Sequence, residues 1–223
     1  MNSSTTIIAF LATITIFTGC RGFQYGHLVR PDKQDLVGSH AAGSEVYKPL
    51  VEESVAKLLG ACEAQPVGRL SPEGFPQPAQ VCFVGVENCS AEELADFHEH
   101  LYELIDARIS QSPNFAPLTR RAVSAALEET RLRPESLLVP DNMQLFTSVL
   151  GRGGQPVDYL LFAKLTSGTT ERNASSQRDY LLTLEMVDTR TSTSHKQQAE
   201  IRKGYHKSPM GRFASYNIFS GNK

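Results

Sequence analysis

Val157-Asp158-Tyr159-Leu160-Leu161-Phe162-Ala163 opens an apolar run that continues to Leu165, and Leu182-Thr183-Leu184-Glu185-Met186-Val187-Asp188 follows after the polar stretch 167–179. Short apolar runs bounded by polar residues read as strands, here over 157–165 and 180–187. Asp188-Thr189-Arg190-Thr191 reads as a turn, and Gln198 to Lys203 as the strand that pairs back. Upstream, Val81-Cys82-Phe83-Val84-Gly85-Val86 carries no charged or amide side chain, as expected of a strand covered on both faces.

Between and before these strands the spacing turns helical. Leu50, Val51, Val55, Leu58, Leu59 and Cys62 recur at three- and four-residue steps, predicting a helix over 47–62. Residues 65–79, with Pro66, Pro72, Pro76 and Pro78, read as a loop. Ser90 followed by Glu93 has the pattern of a capping box, so the next helix is expected to start there and run to Ser110, with Leu94, Phe97, Leu101, Leu104, Ile105 and Ile109 on one face. Phe115–Leu118 reads as a short strand, and 119–132 as a helix stopped by Pro134. Pro140-Asp141 opens a further helix, which Gly151, Gly153 and Gly154 close. Helices early and antiparallel strands late predict an α/β fold, a mixed four- to five-stranded sheet flanked by helices.

No catalytic signature is present: no Gly-x-Ser-x-Gly, no phosphate-binding loop, no His-Glu-x-x-His. Gly151-Arg152-Gly153-Gly154 follows a helix and precedes a strand, the wrong order for offering a helix N-terminus to phosphate. His98 and His100 lie two apart on a helix and so point about 200° apart, which suits surface residues rather than a shared metal. Cys62 falls on a helical stripe and Cys82 in an apolar strand, and with Cys89 they match no zinc spacing. One disulfide among the three is open, with no pair favoured. The protein is therefore expected to need no cofactor or metal, and not to be an enzyme. A net charge of −2 argues against generic nucleic-acid binding, although seven basic residues against one acid lie from Arg190 onward.

The first twenty residues bear on location. Ile7 to Phe17 is apolar and 11 residues long, short of the roughly 20 that a membrane-spanning helix needs. Thr18-Gly19-Cys20 then resembles the lipobox of a bacterial lipoprotein signal, although Met1 to Thr6 lacks the usual Lys or Arg. The resemblance implies removal of residues 1–19 and acylation of Cys20. Two or three chains, each buried CH₂ contributing about 0.8 kcal/mol, make such an anchor effectively permanent. Arg21, where inner-membrane lipoproteins often carry Asp, points to the outer membrane. Residues 20–46 then read as a lipidated tether facing the periplasm.

The order of elements carries a second resemblance. The Ser90–Ile109 helix, Phe115-Ala116-Pro117-Leu118 with Arg120-Arg121-Ala122-Val123, the 157–163 strand, and the hairpin from Leu182 to Ala199-Glu200-Ile201-Arg202-Lys203 resemble the penicillin-binding protein activator lipoproteins of the LpoB type. The likeness covers about residues 47–204 and implies a globular domain there, similar in fold to the N-terminal domain of the TolB translocation protein, with 205–223 as a C-terminal tail. It also implies a non-catalytic protein that binds and activates a class A penicillin-binding protein in peptidoglycan synthesis. No partner-contact residue carries over, and the Thr/Ser/Gln-rich 189–197 departs from the family's short turn. The alternative is an accessory or subunit of a secretion-type assembly related to curli export, which should show membrane-inserting amphipathic hairpins.

Overall fold

The computed structural model describes residues 42–63, 69–70, 75–152, 154, 156–172 and 175–206. Cys20, the lipobox and most of the tether expected over 20–46 lie outside them, as does the tail beyond His206.

The first helix, α1, spans Ser44–Glu63 and contains Pro49. A proline six residues into a helix removes a hydrogen bond and costs about 3 kcal/mol. Val46, Leu50, Val51, Val55 and Leu58 are all buried on this helix, and at about 1.5–3 kcal/mol each their burial outweighs that cost. The proline-rich segment that followed from the sequence as a loop holds a two-residue ladder, β1 (Arg69–Leu70) antiparallel to β2 (Pro76–Gln77). Then come β3 (Ala79–Cys89), α2 (Phe97–Ser110), β4 (Phe115–Pro117) and α3 (Arg120–Thr130). A 3₁₀ turn at Pro134–Leu138 leads to α4 (Pro140–Gly151), followed by β5 (Tyr159–Arg172), β6 (Ser175–Asp188) and β7 (Ser194–His206).

The main sheet has five strands in the order β4-β3-β5-β6-β7. β3 is parallel to β4 and β5, whereas β5, β6 and β7 form an antiparallel meander. This is the mixed α/β sheet flanked by helices. Val81, Phe83, Leu161, Leu182 and Leu184 pack under α1 and α2. Cys82, Val84, Leu160 and Val187 face the other way, under Val123, Leu137, Met143 and Phe146 from α3, the 3₁₀ turn and α4. The apolar residues of each quoted run are thus divided between two cores, which is why the runs are largely apolar.

Two expectations from the sequence are corrected. Ser90 does not cap a helix. Its hydroxyl donates to Asn88 Oδ1 at 2.7 Å, Asn88 Nδ2 donates to the Glu92 carbonyl at 2.8 Å, and α2 begins only at Phe97. The side-chain turn around Asn88 competes successfully with the helix start. Leu94 is buried all the same, in the turn ahead of the helix.

The second correction concerns 167–179, which is not a gap. β5 and β6 stay paired without a break from Tyr159↔Asp188 to Arg172↔Ser175, and β7 follows β6 to Ser175↔His206, taking in Tyr205. Ladder bonds on both sides of β6 hold these polar residues extended. Ser167, Thr169, Thr170, Glu171 and Gln177 supply no apolar face of the kind that inserts into a membrane.

The two aspartates that end or open the quoted stretches are structural. Asp188 Oδ1 accepts the Arg190 and Thr191 amides at 2.8 and 3.1 Å, an Asx turn that starts the β6–β7 connection. Asp158 is buried, and its Oδ2 accepts the Gln80 amide at 2.9 Å, tying β5 to β3 at their common entrance.

Candidate functional site

The helices α3 and α4 cover only part of their face of the sheet. What they leave open is a groove of about 320 Å³, running between the 3₁₀ turn and the strands β3, β5, β6 and β7. Its construction starts at Gly85. The β3–β5 register shifts between Phe83 and Gly85, a bulge in β3, and Gly85 sits opposite Phe162 at φ +155°. A bulge reverses the faces to which later residues point. Val86 therefore joins the core under α1 and α2, while Glu87 turns to the groove beside Lys164.

The groove has an apolar floor and charged walls. Phe162 and Leu138 of the 3₁₀ turn line the floor, whereas the neighbouring Ala163 side chain is buried in the core under α1 and α2; Lys164 pairs with Glu87 at 3.2 Å and Lys196 with Glu185 at 3.0 Å. Glu185 and Lys196 are directly opposed on β6 and β7, so their pairing is fixed by register rather than by chance of rotamer. Glu135 and Thr183 complete the walls. Leu138, which lines the groove, is 47% exposed, and its successor Val139 is 51% exposed. Leu137 takes the single core position of Leu137-Leu138-Val139, which leaves its two successors outside. Two successive exposed aliphatic residues give the groove an apolar margin.

A second polar cluster lies on the opposite face of the sheet, at the margin of the core under α1 and α2. Glu92 accepts hydrogen bonds from the Tyr180 hydroxyl at 2.5 Å, from the Ala42 amide at 2.7 Å and from Arg178. Burial alone raises its carboxyl, but the three donors together outweigh that and hold it below the ordinary carboxylate value. Burial, and then the bond to Glu92, push the Tyr180 phenol upward. Lys203 pairs with Glu45 at 2.8 Å close by. Since the Ala42 bond engages the chain where it enters α1, this cluster fixes the point at which any N-terminal tether meets the domain.

The residues singled out from the sequence are spread over the molecule. His98 Nε2 lies 3.0 Å from the Val86 carbonyl, and the His100 ring packs edge-on to Phe97 at 5.9 Å. Among the described residues no group of three or more His, Cys, Asp or Glu is placed to hold a metal. Cys62, Cys82 and Cys89 are free thiols. Burial pushes Cys62 up to about 11 and Cys82 up to about 12, and Cys62 Sγ lies 3.6 Å from Met186 Sδ. No helix among the described residues is long and apolar enough to cross a membrane. The groove itself escaped the sequence reading. Its one local signal was a run of three aliphatic residues after Pro134, where a single 3₁₀ turn can bury only one.

No family model matches this sequence, and no curated protein does. Among solved structures, the chain is similar to the LpoB C-terminal domain from Salmonella enterica, at 13% identity over 70% of this chain and 97% of that one, with a TM-score of 0.46. It is also similar to lipoprotein GNA1162 from Neisseria meningitidis, at 16% identity over 61 and 91% of the two chains, with a TM-score of 0.42. A third similar structure is the hypothetical protein CT253 from Chlamydia trachomatis, at 15% identity over 59 and 74%, with a TM-score of 0.34.

Proposed function

We propose that this chain is a non-catalytic envelope lipoprotein, acylated at Cys20 and held on the outer membrane facing the periplasm. Its domain, expected over residues 47–204, binds and activates a class A penicillin-binding protein in peptidoglycan synthesis. The observation that carries the reading is the groove at Gly85 and Phe162, an apolar floor between two lysine–glutamate pairs with exposed Leu138 in its wall and exposed Val139 next to it in the chain. That surface suits an aliphatic or aromatic anchor from a protein partner, with the walls setting its orientation. Two of its glutamates, Glu87 and Glu185, are each engaged by a lysine rather than turned toward one another as an acid and base pair would be. The Thr18-Gly19-Cys20 signal and the order of elements shared with the LpoB-type activators support the choice of compartment and partner.

Activation by binding requires the domain to hold the synthase's active state more tightly than its resting state. The test is capture of each class A synthase of the same organism on the mature chain, followed by glycan polymerisation with and without it. Binding with faster polymerisation, lost in Leu138→Asp, is the expected result. A lack of both binding and stimulation with every synthase overturns the proposal. Cys20→Ala tests the anchor separately: unchanged membrane fractionation would remove acylation from the account.

A further inference from the structure

The two carboxylates that the strands bring to the groove are already matched. Glu87 and Lys164 are register partners on β3 and β5, Glu185 and Lys196 on β6 and β7, and the pairs close at 3.2 and 3.0 Å. Opposed positions on neighbouring strands hold such pairs together. The third carboxylate of the walls comes from a different element. Glu135 is the second residue of the 3₁₀ turn Pro134–Leu138, lines the same groove, and makes no ion pair with a described residue. Three acids against two bases leave the described walls one negative charge in excess, and Glu135 carries it.

Apolar surface surrounds that charge. Residues three apart eclipse in a 3₁₀ helix, so Glu135 and the exposed Leu138 lie on one side of the turn. Phe162, half-buried, lies in the floor, and so does the half-buried Thr183, directly across from Lys164 on β6. The Thr183 hydroxyl makes no hydrogen bond with a described residue.

We infer that the groove takes a partner segment carrying an arginine beside its apolar anchor, with the guanidinium seated on Glu135. This rests on the reading of the groove as a protein-docking surface and adds the chemistry of what docks there. Arginine answers the three features together. Its methylene stem covers apolar surface while the charged head stays at the rim. Its planar fork pairs bidentately with a carboxylate, which an ammonium does not. It has five N–H donors, more than one carboxylate takes up, and the Thr183 hydroxyl is a further acceptor in the same groove. A wholly apolar segment would strip water from Glu135 and return nothing, and an acidic one would be repelled.

Titration of the full chain with blocked pentapeptides, followed by the amide resonances of Gly85, Glu135, Phe162 and Thr183, tests this. The peptides carry leucine at position two and arginine, lysine, glutamine or glutamate at position four, which places both side chains on one face of an extended segment. The arginine peptide should shift these resonances saturably and bind about 5- to 10-fold more tightly than the glutamine peptide. Glu135→Gln should abolish that preference, and Glu135→Lys should turn it toward the glutamate peptide. Resonances remote from the groove, unchanged in both variants, report an intact fold. Equal affinity for the arginine and glutamine peptides overturns the inference. So does a preference that survives Glu135→Gln, a lysine peptide that binds as well as the arginine one, or no saturable shift at the groove. A synthase bound and stimulated equally by Glu135→Gln overturns it too, while leaving the proposed activation standing. A Glu135-dependent arginine preference in a chain that binds no synthase supports the inference and removes the proposed partner.

Discussion

Tyr180 Oη donates to Glu92 Oε1 at 2.5 Å, joining the middle of β6 to the turn that follows β3. The same carboxylate receives Arg178 and the Ala42 amide, and its side chain is only 9% exposed. Three donors around a mostly buried carboxylate make it the least replaceable polar group among those described.

Glu92→Gln should lower stability at pH 7 by about 1–3 kcal/mol, because a neutral amide meets donors arranged for a charge. The folded state holds the Glu92 carboxyl below its ordinary value, so its contribution is present above the unfolded pKa of about 4.3 and lost as pH falls through the folded one. Urea denaturation of both proteins should give a constant gap from pH 5 to 8 that narrows below about pH 4. A gap that stays the same at acid pH would refute the charge-based account.

Gly85→Val should destabilise by about 1–3 kcal/mol through backbone strain alone, since a side chain at φ +155° is strained while its Cβ would meet no atom within 4 Å. Because Gly85 lines the groove, the added side chain would also take up part of it. Loss of partner binding at a temperature where circular dichroism still shows the folded state would separate the two effects.

The three thiols should differ sharply toward a maleimide at pH 8. Cys62 and Cys82 are buried, with pKa values pushed up to about 11 and about 12, whereas Cys89 is exposed at the end of β3. Peptide mapping over a time course should find Cys89 labelled at least about 100-fold faster, the other two waiting on unfolding. Labelling of Cys82 at the same rate would contradict its burial.

Phe83→Ala should cost about 3–5 kcal/mol, because the ring is fully buried and stacks on Tyr102 at 4.4 Å between centroids. Leu138→Asp, at a position 47% exposed, should change stability by less than about 0.5 kcal/mol. Thermal melts of the two variants side by side distinguish a core residue from a groove residue, although both are large and apolar.

Much of this architecture was legible before any coordinates. The apolar runs at 81–86, 157–165 and 180–187 mark strands because a strand pressed between two layers is apolar on both faces where both are covered; Lys164 and Glu185 interrupt them where the groove leaves one face open. The stripe from Leu50 to Cys62 marks α1 for the complementary reason, that its other face meets water. Asp188 ahead of Thr189-Arg190-Thr191 marked a turn because its carboxylate can replace a ladder partner for the next amides.

Other features depended on groups distant in sequence. Ser90 and Glu93 spell a helix cap, yet Asn88 lies close enough to take the Ser90 hydroxyl, and local competition of this kind is invisible to a four-residue pattern. The stretch 167–179 reads as a polar gap because nothing local favours a strand over water. β5 and β7 supply ladder partners on both sides of β6, and only their presence holds it extended.

The sequence by itself determined which segments are helix or strand, and which side chains are apolar enough to be buried, because those follow from period and composition. The tertiary structure alone decided where the sheet is left uncovered. One extra residue at Gly85 turns Glu87 out to Lys164, and the short 3₁₀ turn brings Leu138 to the same groove. Register and layer coverage are relations between strands and helices far apart in the chain, so no window of sequence contains them.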